Sequence, residues 1–188
     1  MIRLFSSLAL LIALLLSSGC TQKQEGNASS SSAQPIGRKV PAVMDVLSKE
    51  GAAPAFAWTD SSGKRVTFDE FRGKLTVVNF WATWCGPCKR ELPDLVELSK
   101  ELAPQGVTFL GISTDAGSGA PDKVAEFIGT YGIPYTVLLS NEELEEAFGN
   151  ITGLPTTILV GPDGAILKTI VGARSKAQFL ELIRASSL

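Results

Sequence analysis

The sequence predicts an α/β sandwich: a central mixed β-sheet flanked by helices. Three observations carry the expectation. From residue 75 onward, short apolar and β-branched runs alternate with helix-compatible runs, a pattern that calls for a sheet covered by helices. Two strand-like runs then meet across Pro162-Asp163-Gly164, a turn that closes a hairpin. A second such pair, across Asp60-Ser61-Ser62-Gly63, precedes the alternation as an N-terminal hairpin.

Each element has a local reason. Residues 54–58 and 65–68 form the N-terminal hairpin, and 69–72 make one helical turn before the central strand at 75–80. A helix follows over 89–102, then a strand at 107–113, a helix at 121–130 and a strand at 136–139. Asn141 is an N-cap for a short helix ending at 148, with Glu142 and Glu143 in its first turn complementing the helix dipole. Residues 156–160 and 165–171 build the C-terminal hairpin, and Ser175 caps a last helix running to 183. Pro93 falls inside the first long helix, where proline costs roughly 3 kcal/mol unless the helix starts or bends. It reads as architectural, and so do Trp58 and Trp81. The 188 residues suit one domain, and a net charge of −2 without a basic block gives no reason to expect a nucleic-acid partner.

The chemistry is concentrated in Trp84-Cys85-Gly86-Pro87-Cys88, between the central strand and the helix. Two thiols separated by two residues can close a small, reducible disulfide. At a helix N-terminus the first thiolate is stabilised by the dipole and by unpaired backbone amides, so Cys85 is the expected nucleophile. Cys88, about one turn into the helix and less exposed, would resolve the mixed disulfide. A zinc site needs four ligands, and the chain has one further cysteine and no histidine. A c-type haem needs histidine directly after the second cysteine, where Lys89 stands. No cofactor or metal is therefore expected. An inert structural disulfide is the remaining alternative, but closing so short a loop removes little unfolded-state entropy.

Three blocks resemble the thioredoxin superfamily, and within it the TlpA/ResA-like branch of exported thiol-disulfide reductases. They are Val77 through Pro93, containing the cysteine pair, then Gly153-Leu154-Pro155-Thr156-Thr157, then Gly161-Pro162-Asp163-Gly164. The resemblance runs from about Val40 to the C-terminus. It implies a thioredoxin-like sandwich whose material between the first long helix and Pro155 corresponds to the central strand-helix insertion of that branch. It also implies that Pro155 is cis and lies against the redox pair, although only about 5–6% of X-Pro bonds in folded proteins are cis. The backbone of Leu154 would then pair with an extended substrate segment, giving affinity with little sequence selectivity.

The same resemblance frames the proton question. Thioredoxin carries a buried aspartate six residues before the first cysteine; here Asn79 stands there and cannot titrate. Glu91 matches the glutamate found near the redox pair in the TlpA/ResA-like branch. If it is partly buried beside the thiols, desolvation and a neighbouring thiolate both raise its pKa and make it a usable acid/base. A solvated glutamate in a first helical turn is the alternative. Trp84 is expected to pack over the thiols, while Lys89 and Arg90 read as solvated basic residues.

The N-terminus points to export. Arg3 supplies a short positive region, residues 8–16 an apolar core, and Ser17-Ser18-Gly19 the small residues before Cys20. This looks like a bacterial lipoprotein signal, in which the cysteine is lipidated after cleavage, although Ser17 stands where strict versions carry leucine. A simple secretory signal or an uncleaved anchor are the alternatives, and the apolar run is short of the roughly 20 residues that span a bilayer. Lipidation of Cys20 also accounts for the odd cysteine count. The expected organisation is a signal peptide at 1–19, the lipidated cysteine and a flexible tether at 20–40, and a thioredoxin-like domain at 41–188. The expected place is the cell envelope, facing the periplasm or the outer cell surface.

Together these features lead to an expected membrane-anchored dithiol reductase whose partners are disulfide-bearing protein substrates. By resemblance the electron donor is a membrane thiol relay and one client is an apocytochrome c. A disulfide oxidase or isomerase on the same scaffold, and a tethered module that binds clients without catalysis, are the other readings. A thiol peroxidase is disfavoured by the close cysteine pair.

Overall fold

The computed structural model describes residues 40–47 and 51–186. The expected signal peptide, Cys20 and the tether up to residue 39 lie outside the described residues. The strands are β1 (Val43–Leu47), β2 (Ala55–Thr59), β3 (Arg65–Thr67), β4 (Thr76–Trp81), β5 (Thr108–Ser113), β6 (Thr136–Leu139), β7 (Thr156–Val160) and β8 (Ile166–Val171). The helices are α1 (Gly86–Leu102), α2 (Ala120–Tyr131), α3 (Glu142–Ala147) and α4 (Lys176–Ala185).

Five strands form the central sheet in the order β6-β5-β4-β7-β8. β4, β5 and β6 run parallel, whereas β7 is antiparallel to both β4 and β8, so the sheet is mixed as expected. All six residues of β4 are buried, which fits a middle strand covered on both faces. Alternation divides its side chains. Val78 and Phe80 join Leu110, Ile112 and Ile158 in a core completed by Phe56, Trp58, Phe68 and Phe148. Val77 and Trp81 point the other way, toward leucines of α1 and toward Phe179 of α4 or Val124 of α2. Asn79 shares this helix-covered face.

The N-terminal hairpin is part of a separate three-stranded sheet, β1-β2-β3. Its first strand was not anticipated. β1 buries only Val43 among Val-Met-Asp-Val-Leu, its pairing with β2 shifts register between Met44 and Leu47, and Asp45 sits at φ 53°. Such a strand has no alternating signal. Val40, expected to end the tether, instead packs with Trp81, Cys85 and Leu139, and the Leu139 amide donates to the Pro41 carbonyl at 2.8 Å. The packed domain therefore includes Val40.

Helix α1 presents Cys88, Glu91, Leu92, Leu95, Ser99 and Leu102 on one buried stripe at three- and four-residue spacing. It continues through Pro93, where the ring removes one helical hydrogen bond at a cost of roughly 3 kcal/mol. Burial of the flanking leucines, roughly 1.5–3 kcal/mol each, offsets that cost. α4 begins at Ser175, whose side chain accepts from the Gln178 amide in a capping box, and Asp94 of α1 accepts from the Lys176 amide at 2.7 Å. Asn141 caps α3 by accepting from the Leu144 amide at 2.9 Å.

Candidate active site

The buried strand β4 ends at Trp81, and four residues later the chain enters α1 with Cys85 as the N-cap. Cys85 and Cys88 are disulfide-bonded, with their Cα atoms 5.3 Å apart. The Cys88 amide donates to Cys85 Sγ at 3.2 Å, so one otherwise orphaned N–H of the first helical turn is aimed at that sulfur. Pro87 is in the first turn, where its missing N–H costs nothing. The expected contrast in exposure is small: Cys85 is 5% exposed and Cys88 3%. Access separates them instead. A cleft of about 580 Å³ is lined by Cys85 but not by Cys88.

Across that cleft lie Gly153 and Leu154. The Leu154–Pro155 peptide bond is cis, as the resemblance implied. The Pro155 carbonyl is taken by the Gly172 amide at 2.8 Å, which ties this loop to the end of β8. Gly86, Pro87 and Trp84 complete the near wall. Trp84 is 65% exposed, so it stands at the rim of the cleft; Trp81 and Trp58 are buried in the core. Lys89 and Arg90 are exposed.

Glu91 is not a solvated residue of the first turn: it is 3% exposed. Its Oε1 accepts from Asn79 Nδ2 at 3.0 Å and its Oε2 from the Arg174 amide at 3.0 Å. Asn79 also donates to Thr157 Oγ1 at 2.9 Å, linking α1, β4 and β7 in one buried polar network. Burial pushes the Glu91 carboxyl up to about 7, against the lowering effect of the Arg174 amide and the Asn79 side chain. Glu91 stands three residues after Cys88 on the same helical face. The raised pKa follows the expectation, with desolvation as its leading cause.

Sequence reasoning missed Thr157 and the Arg174 amide as partners of this network, and it missed Asp115. Asp115, just beyond β5, is buried and accepts from the Thr83 amide at 2.7 Å and the Thr83 hydroxyl at 2.6 Å. Of this network, sequence reasoning had singled out Glu91, through the family resemblance, and Asn79, at the place of thioredoxin's aspartate. Among the described residues, no group of three His, Cys, Asp or Glu side chains gathers to hold a metal, and no helix is long and apolar enough to cross a membrane.

Comparison with known proteins agrees with this geometry. The Redoxin family model matches residues 48–183. Thiol-disulfide oxidoreductase ResA of Bacillus subtilis (strain 168) is 30% identical over 141 residues, covering 73% of this chain and 77% of the relative. ResA of Geobacillus thermodenitrificans is 34% identical over 137 residues, covering 70% and 76%. Among solved structures, a thiol:disulfide interchange protein of the thioredoxin family from Chlorobium tepidum TLS superposes with a TM-score of 0.63 at 35% identity. That match covers 79% of this chain and 97% of the other.

Proposed function

We propose a direction and a division of labour for this chain, which belongs to the Redoxin family and is a thioredoxin-like thiol-disulfide oxidoreductase: it reduces protein disulfides, with Cys85 attacking and Cys88 resolving. The observation that carries the reading is a Cys85–Cys88 disulfide at the start of α1, with an amide on Cys85 Sγ and an open cleft beside Cys85.

In the reduced protein the Cys85 thiolate attacks one sulfur of a client disulfide, forming a mixed disulfide and releasing the other client sulfur as a thiolate. Cys88 then loses its proton and attacks Cys85 Sγ. The Cys85–client bond breaks, the second client thiolate leaves, and the Cys85–Cys88 disulfide reforms. Two electrons have passed to the client, so each turnover requires an external dithiol donor. Glu91 is the acid/base for Cys88: it is buried three residues along the same helix face, with a carboxyl that exchanges its proton near neutrality. Leu154, before cis-Pro155, offers backbone pairing to an extended client, and Trp84, Gly86 and Pro87 form the wall it slides against.

The protein works outside the cytoplasm, tethered through lipidated Cys20 after removal of residues 1–19. The support is the pattern of Arg3, the apolar run and the small residues before Cys20. A membrane thiol relay as donor and an apocytochrome c as client rest on the family resemblance.

The test of the division of labour is trapping in the full chain with a disulfide-linked peptide pair. Cys88→Ser should accumulate a mixed disulfide at Cys85, and Cys85→Ser should accumulate none. Trapping at Cys88 in the Cys85→Ser protein would reverse the roles, and wild-type turnover by Cys88→Ser would mean that no resolving thiol is needed.

A further inference from the structure

Asp115 lies outside the cysteine motif, yet both donors of Thr83, two residues before Cys85, converge on its carboxylate. Oδ2 accepts from the Thr83 amide at 2.7 Å and from Ser113 Oγ at 2.9 Å. Oδ1 accepts from Thr83 Oγ1 at 2.6 Å and lies 3.5 Å from Lys123 Nζ. The Asp115 amide in turn donates to Ser113 Oγ at 3.1 Å. Both Asp115 and Thr83 are buried, whereas Lys123 is exposed.

The segment being held is short: Ala82 and Cys85 pack in the core, the Thr114 amide donates to the Trp81 carbonyl at 2.9 Å, and between those points Thr83 carries the polar contacts. It leaves β4 at Trp81, whose register partner in β5 is Ser113, and it enters α1 at Cys85. The Cys85 amide closes a local turn onto the Ala82 carbonyl at 3.1 Å, which bends the segment without attaching it to the sheet. Trp84 is largely exposed at the rim of the cleft. Thr83, two residues before Cys85, is where side-chain hydrogen bonds fasten the segment to the chain just beyond β5. A carboxylate suits this place because its two oxygens take both Thr83 donors side by side, as well as Ser113 and Lys123. Burial pushes the Asp115 carboxyl up, but the Thr83 and Ser113 bonds and Lys123 outweigh it and hold the pKa below the ordinary value.

We propose that Asp115 is a positioning residue for the nucleophile: by clamping the amide and hydroxyl of Thr83, it holds Cys85 Sγ against the Cys88 amide at the N-terminus of α1. Loosening the clamp lets the sulfur move off that amide, and the thiolate loses stabilisation. The consequence is a higher Cys85 thiol pKa and slower attack near neutral pH, beyond any change in stability.

This inference rests on the reading of Cys85 as nucleophile, and one experiment separates the two. The pH dependence of alkylation by iodoacetamide is measured on the reduced full chain, with the modified cysteine identified by mass. Asp115→Ala should raise the Cys85 thiol pKa enough to slow alkylation at pH 7 by about 3- to 10-fold, half to one pKa unit. Should Asp115→Ala fail to fold, Thr83→Val removes only the hydroxyl donor and should shift the profile the same way. Thr83→Ser, which keeps both donors, should restore the wild-type profile. Unchanged Cys85 profiles in Asp115→Ala and Thr83→Val, even with lowered melting temperatures, would overturn the clamp's role in positioning. Alkylation of Cys88 first in the wild-type protein would instead overturn the assignment of the nucleophile.

Discussion

Glu91 Oε1 accepts a hydrogen bond from Asn79 Nδ2 at 3.0 Å, joining the redox helix to the central strand inside the core. Asn79 occupies the place where an ionisable side chain would stand in thioredoxin, and here it serves the carboxyl that titrates. An amide donor keeps Glu91 oriented without adding a second charge. In the proposed mechanism the proton-exchanging group therefore stands on the helix, three residues from Cys88, rather than on the strand.

The first prediction concerns that group. Glu91→Gln keeps the shape but cannot exchange a proton. Resolution of the mixed disulfide should slow by roughly 100-fold, the low end of general acid–base contributions. The slowing should fall on the Cys88 step and leave the initial attack by Cys85 nearly unchanged. Single-turnover kinetics with a disulfide peptide separate the two steps, and unchanged thiol pKa values with unchanged rates would remove Glu91 from the mechanism.

Stability should fall as pH rises across the same carboxyl. In the unfolded chain Glu91 loses its proton near the ordinary value of 4.5, whereas in the folded protein it keeps it up to about 7. Between those values the folded state binds more protons than the unfolded one, so Glu91's contribution is fully present below pH 4.5 and is lost as pH rises through 7. The loss is on the order of 3 kcal/mol. Urea unfolding of wild type and Glu91→Gln at pH 5 and pH 8 checks the sign. The gap between the two proteins should move in favour of Glu91→Gln at pH 8.

Gly111 tests the packing behind the site. A Cβ there would lie 3.1 Å from Trp81 Nε1 and 3.1 Å from Val137 Cγ2, both in the covered interior of the sheet. Gly111→Ala should therefore destabilise the domain by about 1–3 kcal/mol through overpacking. Because Trp81 ends the strand that leads to Cys85, its fluorescence should shift as well. A variant as stable as wild type would mean that the neighbours yield freely.

Most of the fold was legible because its elements announce themselves locally. β4 to β7 are mostly apolar, largely buried runs, Asn141 and Ser175 are caps in sequence as in structure, and the turns at Gly63 and Gly164 carry the residues that such turns require. β1 was illegible because its burial pattern does not alternate. In the site, the cysteine pair and the Leu154–Pro155 block could be read from their spacing and resemblance. Asp115 could not, since it meets Thr83 across 32 residues and belongs to no motif. The closeness in exposure of Cys85 and Cys88 was also hidden, because the surrounding β4–α1 segment and Val40 cover both.

The central claim, that the pair donates electrons to client disulfides, is tested most directly by the reduction potential of Cys85–Cys88 in the full chain, equilibrated against dithiothreitol or glutathione buffers. The account predicts a value near or below that of thioredoxin, about −270 mV. A value near the strong-oxidant end, about −120 mV, would contradict it and make the protein a disulfide donor or isomerase on the same scaffold.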